Sequence, residues 1–86
     1  MVTPGSPHVV PILLTLCAAI DGLFIETVGP FGALVVKEAR ATWLAGGHRI
    51  RTSDIESYIA LLAREIPDAD ERKQFAAGAH ELVGKY

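Results

Sequence analysis

The chain has 86 residues, half of them apolar and 21 % charged, with a formal net charge of −2. This describes one domain with enough apolar side chain for a single core, and it excludes a chain disordered throughout. The charge balance lacks the cationic excess of a nucleic-acid-binding domain, and the lone cysteine, Cys17, excludes an internal disulfide or a cysteine-based zinc cluster.

Residues 1–11 carry Pro4, Gly5, Pro7 and Pro11. Proline fixes φ and lacks an amide donor, so this stretch reads as an extended arm, with one helical domain over residues 12–86. Pro11 also suits a first helical turn, where its missing donor costs nothing. From Ile12 the chain is apolar on every side, and its length and unbranched Leu and Ala residues predict a helix to about Phe24. A helix with no wet face must sit in the core or be covered by a partner. Leu13, Leu16, Ile20, Leu23 and Phe24 are therefore the expected interface residues.

All eight Lys and Arg lie at or after Lys37, and only Asp21 and Glu26 are charged before it. That asymmetry raises membrane anchoring through residues 9–24 as the alternative reading. Against it, Pro11 and Asp21 leave an uninterrupted run shorter than the roughly 20 residues that span a bilayer. No basic n-region precedes the run as a signal peptide requires.

Gly29-Pro30 breaks the first helix, and a second is predicted over about 30–45 with Phe31, Leu34, Val35, Ala39 and Thr42 or Trp43 facing inward. Gly46-Gly47 ends it. After a basic loop at 48–52, Ser53 and Glu56 have capping-box spacing and predict a third helix over 54–66. Ile55, Tyr58, Ile59, Leu62 and Ile66 form its stripe. Pro67 stops that helix, and Asp68 and Glu71 start a fourth over 69–83. There Phe75, Ala79, Leu82 and Val83 point inward, Gly78 weakens the helix, and Gly84 is the expected stop. The fold class is thus all-α, a small bundle of four short helices with a Pro-rich N-terminal arm.

The side chains that could carry chemistry have simpler structural readings. His8, His48 and His80 are too scattered for metal-ligand spacing. Cys17, among Leu16, Ala18 and Ala19, reads as a small buried hydrophobe rather than a nucleophile. Asp68, Asp70 and Glu71 sit in a helical first turn, where the helix dipole favours the anion, so they read as caps and not as acid–base pairs. The same acids would repel phosphates from a helix-turn-helix reading. No catalytic, cofactor or metal residue is expected. The structural set is Gly29, Pro30, Ser53, Pro67, Asp68 and Phe75, with Arg72 either solvated or paired with Glu65.

Two segments carry a resemblance. Val28 to Val36, with Gly29-Pro30 opening a helix, and Leu61 to Asp68, with Arg72 and Phe75 beyond it, are similar to a small uncharacterised bacterial helical domain. That domain occurs beside serine/threonine kinases and nucleotide cyclases. The resemblance covers about residues 20–83, and Gly32 stands where the family more often has alanine. It implies a regulatory module without catalytic residues. Together with the apolar first helix, this gives the expectation of a cytoplasmic, non-enzymatic interaction domain. Its expected partner is a protein, first of all a second copy of itself, and not nucleic acid.

Overall fold

A computed structural model describes residues 10–47 and 51–85; residues 1–9 of the expected arm and the loop residues 48–50, with His8 and His48, lie outside the described residues. Four helices make up the fold: α1 (Pro11–Val28), α2 (Gly32–Ala45), α3 (Thr52–Ala63) and α4 (Ala69–Lys85), with no strand among the described residues. The all-α class and the helix count are as expected.

α1 opens with Pro11 at its first position after an extended Val10, whose carbonyl accepts the Leu13 amide at 3.0 Å. It runs four residues past the predicted end at Phe24. Ile25 to Val28 do not break it, and the Thr27 hydroxyl folds back onto the Leu23 carbonyl at 2.9 Å. The stop is Gly29, at φ 92°, a conformation that a Cβ would disfavour. Pro30 lies in the turn and α2 starts only at Gly32.

α1 touches each of the other three helices, as α3 does. Leu13, Leu16, Cys17, Ile20 and Phe24 recur at i, i+3, i+4, i+7 and i+11 and are buried. They meet Trp43 of α2, Ile55, Tyr58, Ile59 and Leu62 of α3, and Phe75 and Ala79 of α4 in one core. The Phe24 and Phe75 rings pack edge to face with centroids 5.5 Å apart. At 18 residues with a mean hydropathy of 1.7, α1 is long and apolar enough to cross a membrane by length and composition. This corrects the shorter run inferred from Pro11 and Asp21, because a proline at the first position does not shorten a helix and Asp21 is held within it.

α2 is rotated from its predicted orientation. Gly32, Ala39 and Trp43 are buried, while Phe31 and Leu34, expected inside, are 83 % and 62 % exposed. Small Gly32 and Ala39 let α2 approach the neighbouring helices closely. A Cβ at Gly32 would lie 2.8 Å from Val28 Cγ2 and 3.0 Å from Ile25 Cα. The helix ends through Gly47, at φ 112°, whose amide reaches the Leu44 carbonyl at 3.1 Å.

α3 does not use the Ser53–Glu56 box. It starts at Thr52, and the Asp54 carboxylate accepts the Arg51 amide at 2.9 Å. Ser53 is exposed, and Glu56 instead faces His80 at 2.6 Å across to α4. The helix ends at Ala63, and the amides of Glu65 and Ile66 bond back three residues as the chain tightens into the corner. Ile66 is fully buried there. Asp68 Oδ1 accepts the Glu71 amide at 2.9 Å and opens α4. α4 continues through Gly84 to Lys85, so Gly84 is not its stop. Gly78 has a packing role: a Cβ there would sit 2.9 Å from Leu23 Cδ2 of α1.

Candidate functional site

The expected interface is not on the surface. Leu13, Leu16, Ile20 and Phe24 are at most 2 % exposed, and Leu23 is half-buried against α4. The correction has a simple cause: three other helices close over that stripe, so the N-terminal apolar surplus goes into the core. Ile12 and Leu14, on the other side of α1, stay exposed at 51 % and 43 %. Among the described residues the most exposed large apolar side chains are Phe31 and Leu34, at the α1–α2 corner. They belong to an α2 face that sequence periodicity assigned to the core.

Behind that face lies a polar cluster that sequence reading missed. Asp21, in the middle of α1, accepts hydrogen bonds from Arg40 of α2 on Oδ2 and from Tyr58 of α3 on Oδ1. One carboxylate thus ties three helices together. The Arg40 guanidinium also lies 6.0 Å from the centre of the Tyr58 ring. Tyr58 in turn packs on Trp43 with ring centroids 5.2 Å apart. The Trp43 indole donates to the Asp54 carbonyl at 2.9 Å and to Ser57 Oγ at 3.0 Å. Burial raises the Asp21 carboxyl above its ordinary value, and the bonds from Tyr58 and Arg40 offset this only in part. For Arg40, burial opposes the cation, but Tyr58 and Asp21 outweigh it and the net shift is upward. Burial, then the bond to Asp21, drives the Tyr58 phenol far above its usual range. A signal for the cluster existed: Asp21 is the single charge within an otherwise apolar run, and such a charge needs a partner when buried.

The thiol of Cys17 lies fully inside the core, and burial pushes its pKa up to about 11. It is the inert cysteine expected from its neighbours, since a nucleophile needs a lowered value. Among the described residues no group of three or more His, Cys, Asp or Glu side chains could hold a metal ion. Arg72 is exposed, and its guanidinium bonds to backbone carbonyls and not to Glu65. Its Nε and Nη2 donate to the Ile66 carbonyl at 3.1 and 2.9 Å, and Nη2 reaches the Pro67 carbonyl at 3.3 Å. Arg72 therefore satisfies carbonyls at the α3–α4 corner and has a structural role.

Two open grooves flank α2. One, of about 390 Å³, is lined by Asp21, Ala33, Lys37, Arg40, Ala41 and Leu44 among others. The other, of about 140 Å³ on the α3 side, has Glu38 and Glu65 on its walls with Val35 and Leu61.

These features define a small four-helix domain whose most exposed large apolar side chains, among the described residues, sit at the start of its second helix. A family model described as a domain of unknown function (DUF8082) matches residues 16–86, and the chain belongs to that family. The matched segment takes in α2, α3, α4 and all but the first residues of α1. No curated protein and no solved structure matches the chain.

Proposed function

We propose that this domain is a non-enzymatic, cytoplasmic interaction module that works by helix packing on itself or on a signalling partner. The observation that supports the reading is the exposure of Phe31 and Leu34, 83 % and 62 %, side by side at the start of α2. Large apolar side chains clustered on a small domain mark contact surfaces. The sequence resemblance to bacterial domains found beside serine/threonine kinases and nucleotide cyclases supports a regulatory place for the module. The test compares capture of proteins by the purified chain with capture by a Phe31→Ser/Leu34→Ser variant. A bound species, self or other, that the variant loses supports the proposal. Identical capture by both, with both folded, refutes it.

A second reading, membrane association through α1, is favoured by that helix's length of 18 residues and mean hydropathy of 1.7. It competes with the burial of the Leu13–Phe24 stripe in the core. Recovery of the protein in a detergent-free supernatant supports the first reading, and recovery in the membrane fraction supports the second.

A further inference from the structure

The larger of the two grooves beside α2 has a volume of about 390 Å³, within the size range of small-molecule sites. Ala33, Val36, Ala41 and Leu44 give it an apolar wall along α2. Three charged side chains stand in it, Lys37 and Arg40 from α2 and Asp21 from α1. A mostly apolar groove with a few convergent charged groups is the usual form of a site for a small amphipathic molecule.

The charges say which kind of molecule. Lys37 and Arg40 are three positions apart on α2, so they project from neighbouring points of one helix flank and repel each other. Asp21 does not neutralise both. Its two oxygens accept bonds from Arg40 and Tyr58, and its side chain is only 13 % exposed. Lys37 is exposed and, among the described residues, is in no ion pair. Arg40 bonds to Asp21 through Nη2, while its Nε is buried with no acceptor among the described residues. A guanidinium has more donors than one carboxylate oxygen takes up, so Arg40 has capacity for a second anion. Two cations against one carboxylate leave the groove a surplus of one positive charge, in a chain whose formal net charge is −2. The groove on the other flank of α2 has the opposite character. It measures about 140 Å³, Glu38 and Glu65 stand in it, and no cation lines it among the described residues.

We infer that the groove between α1 and α2 binds a small amphipathic organic anion, a medium-chain monocarboxylate. Lys37 and Arg40 hold its head, and Ala33, Val36, Ala41 and Leu44 hold its tail. One carboxylate balances the surplus charge of the groove, and placed beside both cations it relieves their repulsion. Charge-assisted hydrogen bonds from the guanidinium orient the head. An alkyl chain covers the apolar wall, which a bare inorganic anion would leave in water. Phe31 and Leu34 do not line the groove, so this inference goes beyond the interaction reading and does not depend on it.

The test titrates the isotope-labelled full chain with octanoate from about 0.1 to about 30 mM, the range expected for a ligand of about ten non-hydrogen atoms. Saturable NMR shifts of the Ala33, Val36, Lys37 and Ala41 amides are expected. Octylammonium, with the same tail and the opposite charge, should not produce them. Lys37→Glu should weaken octanoate binding about tenfold or more. Ala41→Phe fills the groove from an exposed position and should abolish binding. Glu38→Gln, on the other flank, should leave it unchanged. Circular dichroism checks that each variant keeps its helices. Four results would each overturn the site: no saturation by octanoate, equal binding of octylammonium, binding undiminished in Lys37→Glu and Ala41→Phe, or a loss in Glu38→Gln as large as theirs. None of them bears on capture through Phe31 and Leu34, whose own variant decides the interaction reading separately.

Discussion

Removing the Asp21 carboxylate tests whether one side chain joins three helices. Asp21→Ala deletes the acceptor of Tyr58 and the partner of Arg40. The Tyr58 residue is 0 % exposed, so its orphaned hydroxyl costs about 1–3 kcal/mol. The Arg40 side chain is 31 % exposed and can turn toward water, so loss of the ion pair adds at most about 1 kcal/mol. Alanine at a helical position returns about 0.5 kcal/mol. The net loss is about 2 kcal/mol, against a total stability of roughly 5–10 kcal/mol for a domain of this size. The variant therefore folds, with a lower urea midpoint. Tyr58→Phe should cost about 1 kcal/mol, because Asp21 keeps Arg40. In the double variant the orphaned hydroxyl is gone, so its loss should be smaller than the sum of the two by about 1 kcal/mol. Trp43, the sole tryptophan, packs on Tyr58 and reports unfolding by its fluorescence. Strictly additive losses would refute the Asp21–Tyr58 bond and the argument built on it.

Three further outcomes follow from the packing. Phe75→Ala removes the ring that meets Phe24 and should cost about 3–5 kcal/mol, largely unfolding the chain; Asp68→Ala loses one cap and should cost about 1 kcal/mol, seen as a modest drop in Tm. The glycines should differ in sign: Gly32→Ala drives a methyl into the Ile25 backbone and should destabilise by about 1–2 kcal/mol, while at Gly78 the obstacle is the flexible end of Leu23, so helix propensity wins by up to about 1 kcal/mol, both read from urea midpoints. Cys17 and Tyr58 have folded-state values raised above their unfolded ones, so stability is full below about pH 8 and falls as pH rises from the unfolded values through the folded ones. Between about pH 8 and about pH 10.5 the thiol alone should remove about 2 kcal/mol of stability, and Cys17→Ala should flatten that part of the profile.

Segments with strong local chemistry are legible in the amino-acid order. Gly29, Gly46-Gly47 and the Ile66-Pro67-Asp68 corner punctuate the chain through backbone restrictions that act within a few residues, so four helices and their approximate bounds can be read from them. The stripe of α3 is legible for the same reason, since Ile55, Tyr58, Ile59 and Leu62 leave only one apolar face. Local rules fail where a helix offers more than one apolar face. On α1, Leu13 and Leu16 are as apolar as Ile12 and Leu14, and only the positions of three neighbouring helices put the first pair inside and the second pair outside. On α2, the bulk of Phe31 and Leu34 suggests burial, but close approach to α1 at Gly32 demands small residues and turns the large ones outward. Arg40 and Tyr58 stand 19 and 37 positions beyond Asp21 along the chain, so their meeting depends on how three helices pack together. The sequence alone determined the four helices and their approximate bounds, because those depend on propensities and backbone breaks that each segment carries within itself. Which face became core, which became surface, and where the polar cluster formed were decided by tertiary packing, because burial belongs to the space between helices and no single helix contains it.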